Sequence, residues 1–271
     1  MTFAEKARTP AQVRMNEILK RLHEGGSVTV AKIAQDFGIS DMTVRRDLTE
    51  LEREGLLERV HGGAVPPAGG PLQVIDDVEP TFKARLSHNA DIKGRIAARA
   101  VEVLSSYRTI AMDVGTSTLI TARRMAATPG MLVRKRVFTN GLRIAETLAE
   151  TEAEVYVPGG RIRADEMSMT GPVAVEQFSQ FYFDVVVLGT SGLTNEGFFD
   201  YSLEEIEMKR VYIERSAKRI VLCDSSKFRR MSTARVAALQ AASMIITDAA
   251  PPVDIASTLA AASVDVQITG L

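Results

Sequence analysis

Cysteine is almost missing from this 271-residue chain. Only Cys223 is present, so no intrachain disulfide can form and a reducing compartment is expected. The three histidines lack partners at ligand spacing, and no Cys/His set suits zinc. No apolar run reaches the length of a membrane span. No stretch near the N-terminus has the basic-then-apolar build of a signal peptide. A cytoplasmic location, no membrane partner and no cofactor are therefore the expectations. There is no Walker loop and no internal repeat. An excess of one charge sign is lacking too: 33 Lys and Arg face 34 Asp and Glu, for a formal net charge of −1. That removes the basic excess that marks many nucleic-acid binders, so any contact with DNA must rest on where the charges point. What is present, 45% hydrophobic and 25% charged residues, is the balance of a globular protein with room for two domains.

One stretch organises the first part of the chain: Ser40-Asp41-Met42-Thr43-Val44-Arg45-Arg46-Asp47-Leu48-Thr49-Glu50-Leu51. Ser40 is a good N-cap, and Ile39 and Val44 have the spacing of a hydrophobic staple. Val44, Leu48 and Leu51 share one helix face. At ~100° per residue Arg46 points nearly opposite, with Met42 and Thr49 beside it and Arg45 on the flank. Upstream, Thr29 can cap a short helix from Val30 to Phe37, and Gly38 sits where a left-handed residue ends it. A short helix, a glycine turn and a second capped helix make a helix-turn-helix pattern. Leu56 to Ala64 alternates and ends on a Gly pair, as a small β-wing would, with Arg59 and His61 on it. The bland alternative is a three-helix domain whose arginines are merely solvated. Candidate DNA contacts are Thr29, Ser40, Met42, Thr43, Arg45, Arg46, Thr49, Arg59 and His61.

The run Val28-Thr29-Val30, Ile33-Ala34, Phe37-Gly38-Ile39-Ser40, Thr43 to Leu48, Leu51, Gly55, Leu57 and Arg59 to Ala64 resembles the winged-helix signature of the DeoR family of bacterial transcription regulators. Val44 stands where Ile is usual in that signature. Before this unit, a polar stretch to Pro10 precedes a first helix marked by Met15, Ile18, Leu19 and Leu22 and ended by Gly25-Gly26. After it, Val65 to Pro71 is dense in Pro and Gly, as a linker is.

From Phe82 a helical region leads into alternating strands and helices. Strands are expected at Thr109–Asp113, Val137–Asn140, Val155–Val157, Phe183–Leu188, Arg219–Cys223, Met244–Asp248 and Val264–Ile268. Continuous apolar strands separated by helices imply a mostly parallel sheet covered on both faces. Arg134-Lys135-Arg136 is expected to be a solvated edge, the other choice being a strand that begins only at Val137. The fold class is thus α/β: a winged helix-turn-helix over 1–64, a linker over 65–80 and an α/β effector domain over 81–271.

Asp113-Val114-Gly115-Thr116-Ser117, Thr139-Asn140, Gly159-Gly160-Arg161, Gly171-Pro172, Asp224 to Phe228 and Thr247-Asp248 fall in the order of the DeoR sugar-phosphate sensor. Its fold is similar to ribose-phosphate isomerases and CoA-transferases. Phe199-Asp200-Tyr201 and Thr247 to Pro252 resemble the glycerol-3-phosphate repressor branch. The resemblance implies a repressor of carbohydrate or polyol catabolism genes, a double-stranded operator, release by a phosphorylated sugar or polyol, and a homo-oligomer, dimer or tetramer.

Ligands of open parallel sheets bind beyond the carboxyl ends of strands. The polar motifs at strand ends nominate Asp113, Gly115, Thr116, Ser117, Thr118, Thr139, Asn140, Gly189, Ser191, Gly192, Asp200 and Lys227, and Lys209 is added from a helix where Glu205 and Glu207 flank it. Gly115 to Thr118 starts a helix, where free N–H groups and the dipole favour an anion. Lys227 would add a point charge, and Asn140 and Asp200 could meet hydroxyls. Plain alternatives exist for each: capping loops, a surface lysine, a helix cap, a loop acid, and for Lys209 an i, i+4 pair with Glu205. The rival class is a sugar-phosphate isomerase-like enzyme with an attached DNA-binding domain, since Asp113, Asp165, Asp200 and Glu204 are available carboxylates. Fold analogy alone carries no catalysis.

Overall fold

The computed structural model describes residues 10–25, 27–53, 56–60, 62–65, 74–75 and 79–270. The polar N-terminal stretch to residue 9, Gly26, Gly55, His61 and most of the expected 65–80 linker lie outside the described residues. The chain divides into two compact units, Met1–Val74 and Ile75–Leu271.

In the first unit, helix α1 (Pro10–Gly25) is followed by strand β1 (Val28–Thr29), helices α2 (Val30–Phe37) and α3 (Asp41–Arg53), and strands β2 (Glu58–Val60) and β3 (Gly63–Val65). Gly38 ends α2 at φ 63°, and its N–H returns to the Ala34 and Gln35 carbonyls. That left-handed turn is what a glycine supplies without strain. β3 lies between β1 and β2, antiparallel to both. Gly63 is required there, because a Cβ would fall 2.0 Å from the Val28 carbonyl oxygen. Ile18, Leu22, Ile33, Val44, Leu48, Leu51 and Leu57 close one small core.

The second unit opens with two helices, Phe82–Ser87 and Ala90–Leu104, separated by Asn89 in a left-handed conformation at φ 54°. Seven strands then form one sheet, in the order Glu154–Tyr156, Arg136–Thr139, Thr109–Met112, Phe183–Gly189, Ser216–Leu222, Met244–Thr247, Asp265–Ile268. Every neighbouring pair is parallel. The two faces are buried separately. Ala111, Val186, Leu188, Val221 and Ile245 pack with Phe178, Ile206, Tyr212 and Leu259. Ile110, Met112, Val185, Val187 and Ile246 pack with Ile96, Leu119, Met125 and Leu148. Alternation along each strand thus feeds two cores, which is why the strands read as continuous apolar runs.

Two small antiparallel pieces are additional to the expected strands. Arg161–Arg163 pairs with Ser168–Thr170, and Gly197–Asp200 lies between Gly192–Thr194 and Ala234–Ala237. The expectation for the Arg134–Arg136 run is corrected at Lys135. This side chain is buried, and its ammonium donates to the carbonyls of Leu104 (3.3 Å), Ser105 (2.9 Å) and Tyr107. It closes the C-terminal end of the helix Ala90–Leu104, where unpaired carbonyls favour a cation. The strand begins at Arg136. Among the described residues, no helix is long and apolar enough to cross a membrane.

Candidate functional site

The helix α3 is capped as its composition requires. The Thr43 N–H donates to Ser40 Oγ at 3.2 Å, and the Ser40 and Thr43 hydroxyls share a bond of 2.9 Å. Val44, Asp47, Leu48 and Leu51 face the core. Met42, 76% exposed, stands on the opposite side with exposed Arg45, Arg46 and Thr49. Neither Arg45 nor Arg46 makes an ion pair among the described residues. Thr29 is a helix cap, its hydroxyl accepting from the Lys32 N–H at 3.3 Å. Thr49 is bound within the unit: its hydroxyl donates to the Arg45 carbonyl (2.8 Å) and accepts from the Arg59 guanidinium (3.0 Å). The Arg59 N–H also donates to Glu52 at 3.0 Å, so β2 is tied to α3. Sequence reasoning passed over the brace behind α3. Buried Asp47 accepts two bonds from Arg14 of α1, at 2.6 and 3.0 Å. This fixes the angle at which α3 presents its outer face.

The second candidate site follows from the sheet order. The chain enters at Thr109–Met112, runs two strands outward, returns beside its starting strand with Phe183–Gly189 and continues the other way. The chain leaves those two central strands toward opposite faces of the sheet, into the helix Thr116–Ala127 on one and the helix Leu203–Arg215 on the other, which is the switch-point arrangement beside which open sheets bind ligands. Asp113 and Gly189 meet there: the Gly189 N–H donates to Asp113 Oδ2 at 3.1 Å. Lys209, from the helix Leu203–Arg215, reaches the same place. Its ammonium donates to Asp113 Oδ2 and, at 3.2 Å, to the Gly189 carbonyl, and it lies 3.1 Å from Asp200 Oδ2. Lys209 therefore pairs across the sheet end with Asp113 and Asp200, and Glu205 is engaged elsewhere. Burial opposes the Lys209 charge, but Asp113 and Asp200 outweigh it and raise its pKa. Burial pushes the Asp113 carboxyl up to about 6, against the pull of Lys209. Asp113 Oδ1 is buried with no hydrogen-bond partner among the described residues.

A belt of ion pairs surrounds this centre. Glu205 accepts from Ser168 (2.6 Å) and Arg163 (3.0 Å). Arg163 also holds Glu79, and Arg85 binds Glu79 at 3.1 Å and Glu166. Burial pushes the Glu166 carboxyl up to about 7, and its Oε1 has no hydrogen-bond partner among the described residues. Glu79, Glu166 and Arg163 carry no sequence signal of their own; they lie among ordinary surface charges until the hairpin folds back.

The helix Thr116–Ala127 begins at Gly115, whose φ is 119°, and among the described residues no side chain caps its N-terminus. Thr116 is buried and Ser117 half-buried. Lys227 follows the strand Ser216–Leu222, in a short 3-10 turn held by Asp248, which accepts from the Ser225 N–H (2.6 Å) and hydroxyl (2.9 Å). Burial pushes the Lys227 ammonium pKa down; Asp224 opposes this, while Arg230 and Arg85 add to it. Lys93, buried against the Arg85 and His88 carbonyls, is pushed down to about 8 by burial, with Lys227 and Arg85 adding to the fall. Lys227, Lys93 and Arg85 thus act on one another as like charges.

Other nominated residues make contacts within the fold. Thr118 donates to the Gly115 carbonyl at 2.9 Å. Thr139 accepts from the Gly141 N–H at 3.0 Å. Asn140, fully buried, accepts from the Tyr212 hydroxyl (3.1 Å) and donates to the Met169 carbonyl (3.2 Å). Ser191 is bonded to the Phe199 carbonyl (2.8 Å) and the Ser232 hydroxyl (2.6 Å). Gly192 permits a close approach, since a Cβ would lie 2.3 Å from the Arg230 carbonyl oxygen.

Comparison with known proteins matches both units. The model of the DeoR-like helix-turn-helix domain matches residues 14–68, and that of the DeoR C terminal sensor domain matches residues 88–249. The HTH-type transcriptional regulator GlpR of Haloferax volcanii is 33% identical over 95% of this chain and 97% of its own length. The glycerol-3-phosphate regulon repressor of Escherichia coli is 29% identical over 91% of this chain and 94% of its own. Among solved structures, ribose 5-phosphate isomerase A of Methanocaldococcus jannaschii is 14% identical, covers 52% of this chain and 55% of that one, and reaches a TM-score of 0.38. A likeness that partial carries no argument about activity.

Proposed function

Since the chain belongs to the DeoR family of transcription regulators, we propose that it represses genes of sugar or polyol catabolism and is released from its operator by a phosphorylated sugar or polyol. The observation that carries this is the outer face of α3, where Arg45 and Arg46 stand exposed on a capped and braced helix. Such a helix fits the major groove, with Arg46 toward base edges and Arg45 toward phosphate. One helix-turn-helix reads only a few base pairs, so the working form is at least a dimer, in the cytoplasm.

The effector's phosphate is assigned to the N-terminus of the helix Thr116–Ala127, with Lys227 as its cation. Three features support this: the helix start at Gly115 with no side-chain cap among the described residues, its place at the switch point, and the cations Lys227, Lys93 and Arg85, which act on one another with Asp224 as their counter-charge. The effector's hydroxyls fall to Asp200, Lys209 and Asp113. Glycerol 3-phosphate is one candidate among tetrose, pentose and hexose phosphates. The ligand shifts the population between two arrangements and is bound, not converted. The test uses DNA selected by the protein from a random pool. Titrating that complex with phosphorylated sugars and polyols should release it, while the unphosphorylated parents should not. The ligand recovered afterwards should be unchanged. Release by the parents, or turnover, would overturn the reading.

A further inference from the structure

The sheet of the second unit ends in a short strand, Glu154–Tyr156, which among the described residues is paired on one side only, with Arg136–Thr139. An outermost strand keeps backbone donors and acceptors available to another chain. The side chains around it are apolar and exposed. Tyr156 stacks on Phe138 with ring centroids 4.6 Å apart, and Phe181 packs against the same ring at 5.0 Å. Val157 and Tyr182 are next to Tyr156 and Phe181 in the chain, and Val173 borders Gly159, where a Cβ would lie 3.6 Å from its side chain. Exposure is 40% for Tyr156, 46% for Val157, 52% for Val173, 42% for Phe181 and 74% for Tyr182. Exposed apolar residues scattered singly need no partner, but a contiguous group on one edge marks a contact surface.

The rim decides what the partner is. Its charges come in opposite pairs, Arg136 with Glu154 at 3.4 Å and Arg215 with Glu214 at 3.8 Å. The tyrosine hydroxyls join both pairs: Tyr156 donates to Glu154 at 2.8 Å, and Tyr182 accepts from Arg215 at 3.0 Å. In a two-fold contact a patch faces its own copy, so a rim of one sign would repel itself. A rim with both signs is self-complementary. Tyrosine and arginine around an apolar centre are also the residues that dominate interface energetics.

We propose that this edge, centred on Tyr156, Phe181 and Tyr182, is the surface through which two copies of the chain join about a two-fold axis. The assignment rests on the oligomer reading above and adds the residues that form the contact. The test is sedimentation of the full chain across the micromolar range, for wild type, Val173→Glu, the Val173→Glu/Tyr182→Glu double variant, and a Val253→Glu control. Val173 is the second residue of the helix Pro172–Phe178, a position that tolerates an acid. Val253, 82% exposed, lies away from the patch on the helix Val253–Ala261. The expected result is a wild-type dimer, a control that matches it, and a double variant that sediments as a monomer with unchanged circular dichroism. Val173→Glu alone should weaken association about ten-fold; it decides the matter should the double variant lose its fold. A double variant that associates like wild type, or a control that dissociates equally, overturns the surface while the oligomer stands. A monomeric wild type overturns both.

Discussion

Lys209 is a fully buried cation shared by two carboxylates, Asp113 and Asp200. Removing one partner of such a set strands the others without solvent. Lys209→Met is expected to cost about 3–5 kcal/mol in urea unfolding of the second unit. Adding Asp113→Asn should recover part of the loss, because one unpaired charge goes with it. A loss within error for Lys209→Met would show that the carboxylates reach water. Glu166 sets a pH dependence. Burial holds its folded pKa near 7, above the ordinary 4.5; Arg85 opposes, and Glu205 and Glu79 add to the rise. Between those values the native state binds more protons than the unfolded chain, so stability must fall as pH rises through the interval. Urea midpoints should therefore drop between about pH 5 and about pH 7.5, and Glu166→Gln should flatten that slope. A wild-type midpoint that rises over this range would contradict the assignment.

At the scale of elements, two charged residues inside helical or strand patterns are braces, not surface groups. Asp47 lies three residues after Val44 and four before Leu51, so its place on the inner face of α3 was legible from helical spacing. Its partner was not, because Arg14 is 33 residues away. Asp47→Ala should destabilise the first unit by about 1–3 kcal/mol, since Arg14 then loses two charge-assisted bonds. Calorimetry should show the transition of that unit shifting down while that of the second unit is unmoved. Lys135 teaches the same lesson from the other side. A basic run reads as solvated, yet its middle residue is drawn in by three carbonyls at a helix end. Local pattern cannot report a partner contributed by a distant element.

At the scale of the molecule, the proposed DNA contacts and the proposed effector contacts fall in different compact units. Their losses should separate. Arg46→Ala should relax base preference at one position by about 1–3 kcal/mol, and Arg45→Ala should weaken all sequences alike with a smaller salt slope. Lys227→Ala should keep wild-type affinity for the selected DNA and lose release by phosphorylated ligands. Binding titrations at several salt concentrations, with and without ligand, read all three variants. Equal base preference of Arg46→Ala and wild type, or normal release of Lys227→Ala, would refute the corresponding role.

The sequence by itself determined the elements and the two chemistries. Caps at Thr29 and Ser40, the turn at Gly38 and the outward arginines follow from spacing within a dozen residues. So do the seven strands, because a parallel sheet buried on both faces demands unbroken apolar runs. Family resemblance in short motifs located the strand-end loops. Only the tertiary structure decided which loops meet. The reversal of strand order beside Thr109–Met112 places Asp113 against Gly189 and brings Lys209 to both. It also sorts the polar motif residues into roles that sequence could not separate. Thr118, Thr139, Asn140 and Ser191 satisfy buried backbone or side-chain groups, whereas Lys227 is half-buried beside Asp224, with Arg230 and Arg85 also acting on it. The physical reason is range. Periodicity and capping act between neighbours in the chain, while desolvation and pairing of charges depend on groups that only the finished fold sets side by side.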